Sequence, residues 1–388
     1  MRITLVIMGL PGGGAERVCV NLANAWAASG QATTLLTIAQ NSRPSAYAID
    51  PRVDRCDVGW PRWAHSGELN AEAIAPVLRG LYEADCSELI EEITIIAMLR
   101  FAILATKPDV VIPHIDRTNV LVLAAMQQTG VPVIPCEVTD TGRISLGNWQ
   151  NAREALYRRA AAVVAPDPTI ASWLSGRGAP AHAISNPLVK PPARPVKERG
   201  RRRQLVTLAR LSPEKRPEFL VRSFASLTAD YPDWDLEIHG DGPLRDFLER
   251  LARELAPAGR IRFCGFSTDH YGVLAGADLF VSASWIEGFG NAIWEALACG
   301  VPVVAMEAGA PVRTLVRHGI DGLIVRENTM AALASALASL MGNDSARQVL
   351  AARAIEVVTR FSMESSLRKW DALLESVVRV QTEEGRAV

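Results

Sequence analysis

The stretch EGFGNAIWEALACGVPVV, residues 287–304, decides the fold because it carries a loop, a helix and a buried strand in succession. An apolar run at 279–282 precedes it, and the apolar run at 301–304 ends it. Gly288 and Gly290 separate the first run from a helical pattern. A strand, a helix and a strand in this order are typical of a parallel α/β sheet.

The same alternation of apolar runs and amphipathic segments extends over the rest of the chain and restarts after residue 204, which predicts two α/β domains. The length of 388 residues agrees, since one ordinary domain holds about 150 to 200 residues. The runs assigned to strands are 3–8, 33–38, 110–113, 131–135 and 162–165, then 205–208, 236–238, 261–263, 279–282, 301–304 and 322–325.

A proline-rich stretch at 186–195 lies between the two halves and should be extended, with little core of its own. We therefore expect an N-terminal domain at 1–187 and a C-terminal domain at 188–360. The remaining segment, 361–388, has apolar residues at helical spacing around Trp370.

The composition is that of a folded protein with balanced charge: 49% of the residues are hydrophobic, 21% are charged, and the net charge is -1. It argues against wholesale disorder and against a nucleic-acid partner. The first apolar run continues directly into a glycine-rich turn, so no signal peptide is indicated. The six scattered cysteines are expected to be reduced, buried thiols of a cytoplasmic protein, and the six histidines show no zinc-type spacing.

A glycine-rich loop at 9–14 follows the first predicted strand and opens a helix. Backbone N–H groups at such a helix start can hold phosphate, and Gly13 and Gly14 are the candidate contacts. The next two residues replace the Lys and Ser/Thr of a P-loop, and Arg17 stands where the dinucleotide fingerprint has its third glycine. ATP hydrolysis and nicotinamide chemistry are disfavoured, whereas a tight turn without a ligand stays open.

Arg210 and Lys215 follow the first predicted strand of the second domain. Ligands of open α/β sheets collect at such strand ends. Arg210 can fork onto phosphate oxygens and Lys215 can add a point charge, which together would neutralise a diphosphate leaving group without a metal. Two ordinary surface cations would show the same pattern.

Glu287 and Glu295 can bind sugar hydroxyls, while the helix start after Gly290 favours an anion. Eight positions apart in one continuous helix, the two carboxylates would not align, so their cooperation requires Glu287 to lie in the loop.

This segment resembles the E-x7-E donor motif of glycosyltransferase family 4, the retaining enzymes of GT-B architecture. The resemblance is strong over 205–325, fair over 1–38 and 107–187, and poor over 42–100, where acceptor contacts are expected. Other segments that fit are Gly12 to Val18, Ala209 to Lys215, Gly240-Asp241-Gly242-Pro243, Ala277-Asp278 and Gly300-Val301-Pro302.

The resemblance implies an α/β fold of the GT-B type, with two Rossmann-like domains facing across a cleft and a C-terminal helix that returns to the first domain. It implies that Arg210 and Lys215 stabilise the departing diphosphate and that Glu295 binds the ribose. The remaining implied donor contacts are Glu287, the backbone of Phe289, Gly290 and Asn291, and the glycines Gly13, Gly14 and Gly240.

Three residues that end predicted strands are further candidates. His114 resembles the N-terminal-domain histidine that faces the donor sugar in some relatives, and a purely structural role stays open. Glu137 ends a strand at the expected cleft edge and is the acceptor candidate. His239 ends a strand on the cleft side, where helix packing would explain it equally well.

The implied reaction moves a hexosyl or N-acetylhexosaminyl group, with retention, from a nucleoside-diphosphate sugar to a glycan or lipid-linked saccharide in surface polysaccharide or glycoconjugate biosynthesis. A UDP-sugar ranks first as donor and a GDP-sugar second, and neither metal nor cofactor is expected. Attack would occur on the face that the leaving group vacates, through an oxocarbenium-like transition state. A nucleotide-sugar epimerase or hydrolase and a non-catalytic nucleotide-sugar-binding protein remain alternatives.

A membrane-surface contact at the cytoplasmic face is expected if the acceptor is lipid-linked. The apolar residues between 89 and 104, together with Trp60 and Trp63, are the candidate contacts. The longest apolar stretch, 93–105, is interrupted by Arg100 and is shorter than the ~20 residues of a membrane-spanning helix.

Overall fold

The computed structural model describes residues 1–40, 44–60, 71–140, 142–191 and 202–384. Within it the chain forms two units, Met1–Leu188 with Met363–Val388, and Val189–Ser362. Residues 192–195 of the proline-rich stretch and Trp63 lie outside the described residues. Within the described part of the chain, no helix combines the length and the apolar character needed to cross a bilayer.

The first unit is built on a parallel sheet with the strand order β3-β2-β1-β4, accompanied by the pair β5-β6. The strands are β1 (Arg2–Ile7), β2 (Ala32–Thr37), β3 (Asp54–Asp57), β4 (Val110–Pro113), β5 (Val163–Ala165) and β6 (Ala181–Ala183). The helices are α1 (Gly14–Ala28), α2 (Ala71–Glu83), α3 (Ile93–Ala105), α4 (Asp116–Ala125), α5 (Gln150–Tyr157) and α6 (Pro168–Ser175). β1 and β4 are almost wholly buried because helices cover both faces of a parallel sheet.

The run at 131–135, predicted as a strand, makes only one isolated bridge, from Val133 to Val111, and the next residue, Cys136, makes two more, to His114 and Val164. Prolines at 132 and 135 lack the N–H groups that a continuous ladder requires. The segment therefore occupies the place of a strand between β4 and β5 without forming a regular one.

The second unit contains a six-stranded parallel sheet with the order β12-β11-β10-β7-β8-β9. Its strands are β7 (Arg203–Leu208), β8 (Trp234–His239), β9 (Ile261–Gly265), β10 (Leu279–Ser282), β11 (Val303–Met306) and β12 (Gly322–Val325). Its helices are α7 (Pro217–Ala225), α8 (Arg245–Leu255), α9 (His270–Gly276), α10 (Asn291–Ala298), α11 (Ala310–Leu315), α12 (Met330–Met341), α13 (Asp344–Ala354) and α14 (Val357–Arg360). The chain runs outward in one direction from β7 and in the other from β10, so the topological switch lies between these two strands.

The last helix, α15 (Met363–Glu384), belongs to the first unit. The Trp26 ring of α1 meets the Trp370 ring edge to face, with 5.6 Å between centroids, and both side chains are buried. Such aromatic packing is a strong anchor for an otherwise amphipathic terminal helix.

Only some of the side chains expected to touch a membrane are exposed. Trp60 is half-buried against the core of the first unit, so it is not an exposed anchor. Most apolar residues of α3 face that core, whereas Phe101 is 66% exposed and Leu104 is 38% exposed.

Candidate active site

The candidate site of the second unit starts at the switch point of its sheet, where the loops after β7 and β10 run side by side. The backbone N–H of Trp285 donates to the carbonyl of Glu214 over 3.1 Å, which joins the two loops. Glu287 N–H donates in turn to the carbonyl of Ala308 over 3.2 Å, after β11. Parallel sheets leave a crevice at such a switch point, and ligands bind there.

Lys215 and Glu287 form an ion pair across these loops, with 2.7 Å between Nζ and Oε1. Their side chains keep 24% and 15% of their exposure, so both remain within reach of a ligand. Glu287 lies in the loop before α10, as its cooperation with Glu295 requires. The sequence proposes a diphosphate contact for Lys215 and a sugar contact for Glu287, but it does not indicate that the two groups bind each other.

The Arg210 side chain is exposed, and no hydrogen bond or ion pair to another described residue holds its guanidinium. Its backbone is fixed, because Ala209 N–H donates to the carbonyl of His239 and Leu211 N–H to that of Asp241, each over 3.0 Å. A fixed loop with a free guanidinium suits an anion-binding arginine.

Gly240 explains why this loop can be held so closely. Its φ is +146°, and a Cβ at this position would collide with the carbonyl oxygen of Ala209. Its neighbour Gly242 leaves equally little room beside the backbone of Leu211. The close approach shows why glycine is needed at position 240 to hold the Arg210 loop, and the direct donor contact implied by the resemblance stays a prediction.

Gly290 caps α10 with a φ of +91°, in the left-handed region that favours glycine. The Phe289 side chain is buried against Phe361, with 5.8 Å between ring centroids. Only the backbone around Phe289 and Gly290, with Asn291 at the first position of the helix, can therefore face a ligand. The first N–H groups of a helix attract anions or hydroxyl oxygens.

Glu295 is 1% exposed and lies on α10, with its Oε2 3.4 Å from Nδ1 of His270. His270 opens α9, whose start is capped by the Asp269 side chain accepting from Gly272 N–H over 2.8 Å. Sequence reasoning missed His270, since it belongs to no motif and lies 25 positions before its partner. The one local signal is Asp269, a typical helix-capping residue, which would have predicted that His270 begins a helix.

In the first unit, Gly13 caps α1 and its carbonyl accepts a hydrogen bond from the Tyr47 hydroxyl over 2.8 Å. A Cβ at Gly13 would collide with the Glu16 carboxylate, which therefore lies against this helix start beside Gly14. A negative charge already occupies the position proposed for phosphate, and phosphate would have to displace it.

His114 follows β4 and is fully buried. Its Nδ1 lies 3.3 Å from the carbonyl oxygen of Ile112, and because a carbonyl only accepts, Nδ1 carries the proton. Burial lowers the pKa of His114 to about 4, so the ring is neutral at pH 7. Its Nε2 has no hydrogen-bond partner among the described groups and offers a lone pair.

Glu137 is also fully buried, and the Tyr157 hydroxyl of α5 donates to its Oε1. Asn119 supports this arrangement by donating to the Tyr157 oxygen over 3.1 Å. Burial, and to a lesser degree the charge of Asp116, raise the pKa of Glu137 to about 7. The structure places this carboxylate in a buried, hydrogen-bonded position, and the acceptor role stays a prediction.

Two units, each built on a parallel α/β sheet, define a class of fold, and comparison with solved structures identifies it as the GT-B fold. Staphylococcus aureus TarM, solved with fondaparinux, alpha-GlcNAc-glycerol and UDP, superposes with a TM-score of 0.77 at 12% identity, over 96% of this chain and 99% of TarM. Anabaena HepE, solved with UDP and glucose, gives 0.74 at 18% identity, over 97% of this chain and 100% of HepE.

Family models cover both units in turn. Residues 13–187 match the glycosyl transferase 4-like domain, and residues 191–357 match glycosyl transferases group 1. The chain therefore belongs to the GT-B glycosyltransferases of the 4-like type.

A curated relative, the lipopolysaccharide core biosynthesis glycosyltransferase LpsE of Rhizobium meliloti, is 34% identical over 44% of this chain and 49% of LpsE. The chain thus spans about half the length of that relative, and less of others, such as 26% of the Bacillus subtilis poly(glycerol-phosphate) alpha-glucosyltransferase.

Proposed function

We propose that the chain moves a hexosyl or N-acetylhexosaminyl group, with retention, from a nucleoside-diphosphate sugar to a glycan or lipid-linked saccharide in surface polysaccharide or glycoconjugate biosynthesis. The ion pair between Lys215 and Glu287 at the switch point, next to the Arg210 loop, carries this proposal. It brings cationic groups suited to a diphosphate together with a carboxylate suited to sugar hydroxyls.

In the proposed reaction, the bond between the anomeric carbon of the sugar and the diphosphate oxygen breaks. Arg210 and Lys215 stabilise the negative charge that develops on the leaving diphosphate. No metal is proposed for this step, because the two cations supply the charge that a metal would otherwise provide. The acceptor hydroxyl attacks the face that the diphosphate leaves and passes its proton to the departing phosphate oxygen, which preserves the anomeric configuration. The lone pair on the buried, neutral His114 is the proposed partner of a sugar hydroxyl.

A UDP-sugar is the first choice of donor and a GDP-sugar the second. The TarM structure contains UDP together with alpha-GlcNAc-glycerol, and the HepE structure contains UDP and glucose. The function of LpsE in lipopolysaccharide core biosynthesis supports a glycan acceptor. We assign the ribose contact to Glu295, whose nearly complete burial lets it discriminate strongly between a diol and its deoxy analogue.

A contact with the membrane surface is proposed for a lipid-linked acceptor. It is supported by two large apolar side chains of the first unit that face outward, Phe101 at 66% and Tyr82 at 66% exposure. Co-sedimentation with anionic vesicles should be reduced in Phe101→Ser. Equal sedimentation of both proteins, or none for either, would contradict the contact.

The test of the main proposal is a panel of uridine, guanosine and thymidine diphosphate sugars, scored by thermal shift and by slow donor hydrolysis. One donor should stabilise the wild type and be hydrolysed, while Arg210→Ala and Glu287→Ala should lose hydrolysis. Lys369→Ala on the exposed face of α15 is the matched control. If Arg210→Ala and Glu287→Ala match the wild type, the site assignment is wrong.

Product analysis decides between the remaining reaction classes. Once an acceptor has been found, NMR coupling constants of the product report the anomeric configuration, and inversion would contradict the retaining mechanism. An epimerised donor in the absence of acceptor would identify an epimerase instead.

A further inference from the structure

Three side chains with metal-binding atoms meet at the carboxyl ends of β8 and β9, away from the Lys215–Glu287 pair. Glu237 and His239 lie two positions apart on β8, and Cys264 lies on the neighbouring edge strand β9. A carboxylate oxygen, a ring nitrogen and the thiol sulfur all lie within 4.8 Å of one another. The register shift next to His239 brings the sulfur alongside, because a bulge re-aims the side chains around it.

The two oxygens of the Glu237 carboxylate contact different residues, which suits a metal ligand. Its Oε1 accepts from Arg262 over 2.6 Å, while its Oε2 lies 3.2 Å from Nε2 of His239. Two ligands of a tetrahedral zinc ion with bonds of about 2.0–2.1 Å are separated by roughly 3.3 Å. An ion between Oε2 and Nε2 would therefore leave the Arg262 contact intact as outer support for the ligand.

The thiol of Cys264 can complete the site because it is exposed and donates only a long hydrogen bond of 3.9 Å to the carbonyl of Arg262. A tetrahedral zinc site needs roughly 3.6 Å between sulfur and nitrogen, so the sulfur has to move by about 1 Å or less. A cysteine binds zinc as the thiolate, so binding would release the proton of this thiol.

We propose that Glu237, His239 and Cys264 form a binding site for a zinc-type divalent cation, with water as the fourth ligand. A ligand set of carboxylate, imidazole and thiolate selects Zn²⁺ or Co²⁺ over Mg²⁺ and Ca²⁺, which take oxygen ligands. The site is distinct from the proposed sugar transfer, for which no metal is proposed.

Occupation of this site would act on the neighbouring donor loop. The His239 carbonyl accepts from Ala209 N–H over 3.0 Å, directly before Arg210. Gly240 N–H donates to the Gly265 carbonyl over 2.8 Å, one position beyond Cys264. A metal that joins the two strand ends would thus stiffen the backbone that holds the Arg210 loop.

The first experiment titrates the chelator-treated protein of residues 1–388 with Co²⁺ and records the thiolate-to-cobalt charge-transfer absorption. One Co²⁺ per chain should give this band, Zn²⁺ should abolish it by displacement, and Cys264→Ser should lack it. Cys56→Ser, which changes the other thiol that is not fully buried, is the matched control and should keep the band. Absence of the band in the wild type, or its persistence in Cys264→Ser, would overturn the site.

A second measurement needs no variant of the cysteine and is insensitive to folding defects caused by one. Excess Zn²⁺ should slow alkylation of Cys264 in the wild type at least tenfold, as followed by mass spectrometry, and leave Cys56 unaffected. His239→Asn should abolish the protection. Equal alkylation rates with and without Zn²⁺ would reject the proposal, and neither readout involves a sugar.

Discussion

The Lys215–Glu287 pair leads to a prediction in which two neighbouring substitutions change UDP affinity in opposite directions. In the protein without ligand the two groups satisfy each other over 2.7 Å. A diphosphate would compete with Glu287 for the Lys215 ammonium and would also be repelled by the carboxylate. Lys215→Met should therefore weaken UDP binding, whereas Glu287→Gln should strengthen it.

The magnitudes follow from the exposure of the pair. A hydrogen bond from Lys215 to a charged phosphate contributes about 1.5–3 kcal/mol, from which the lost ion pair subtracts about 0.5–1 kcal/mol because it is partly exposed. The net loss in Lys215→Met is then about 1–2 kcal/mol, or roughly fivefold to thirtyfold in Kd. Removing the competing carboxylate in Glu287→Gln should gain about 0.5–1 kcal/mol, or roughly twofold to fivefold.

Isothermal titration of UDP into the purified proteins measures both effects, with Lys369→Met as a control that removes a lysine from the exposed surface of α15. Donor hydrolysis should fall in both site variants, since Glu287 is assigned to the sugar. Lys215→Met binding UDP within twofold of the wild type would refute the diphosphate assignment. If Glu287→Gln weakens UDP binding as much as Lys215→Met does, the pair acts as a structural unit and the competition argument fails.

Three further outcomes are expected. His270→Asn should weaken UDP binding several-fold and 2′-deoxy-UDP binding much less, because the substitution removes the ring that holds the Glu295 carboxylate assigned to the ribose. Titration calorimetry measures both affinities, and equal weakening for the two ligands would exclude this role of His270. Gly240→Ala should lower stability to thermal unfolding by at least ~2 kcal/mol, because its Cβ meets backbone and its φ is +146°; an unchanged Tm would contradict the close packing. His114→Asn and Glu137→Gln should change the pH dependence of stability in opposite directions. The raised pKa of Glu137 makes the free energy of unfolding of the wild type fall between about pH 4.5 and 7, and the lowered pKa of His114 makes it rise between about pH 4 and 6.5. In denaturant titrations each variant should show only the slope of the group that remains, about 3 kcal/mol across its window. Parallel profiles of the two variants would exclude both pKa shifts.

The division into two units, each with a parallel α/β sheet, could be predicted because buried parallel strands appear as continuous apolar runs, such as 3–8 and 279–282. The strands that sequence reasoning missed are polar or short. β3 has the sequence DRCD and lies at the sheet edge, where only one neighbour has to be paired. β6 has three residues, too few for any periodic pattern.

The candidate site could be predicted in its parts, but its contacts could not. Arg210, Lys215 and Glu287 were found from motif and strand position, yet a pairing between residues 72 positions apart depends on the strand order. The burial of Glu137 could not be predicted either. A charged residue after a strand is usually exposed, whereas this one is buried and hydrogen-bonded to Tyr157 of α5, a contact that depends on the tertiary structure.

The strand order also explains why the candidate catalytic residues are so far apart in sequence. In the second unit, Lys215 and Glu287 follow β7 and β10, the two strands on either side of the switch point. In the first unit, the order β3-β2-β1-β4 has its switch between β1 and β4, and His114 follows β4. A group placed at the end of a buried parallel strand inherits the rigidity of the sheet, which positions it more accurately than a free loop could.

The same argument separates two kinds of glycine in this chain. Gly290 caps α10 beside the ligand-facing backbone, so its replacement should act directly on donor binding. Gly240 faces the carbonyl of Ala209, so its replacement should act on the backbone that carries Arg210. Both glycines have a positive φ, so alanine at either position should lower stability, and the loss should be larger at Gly240, whose Cβ would meet the backbone of Ala209. The two are distinguished by UDP affinity relative to stability: Gly290→Ala should lower the affinity more for a given loss of stability than Gly240→Ala does.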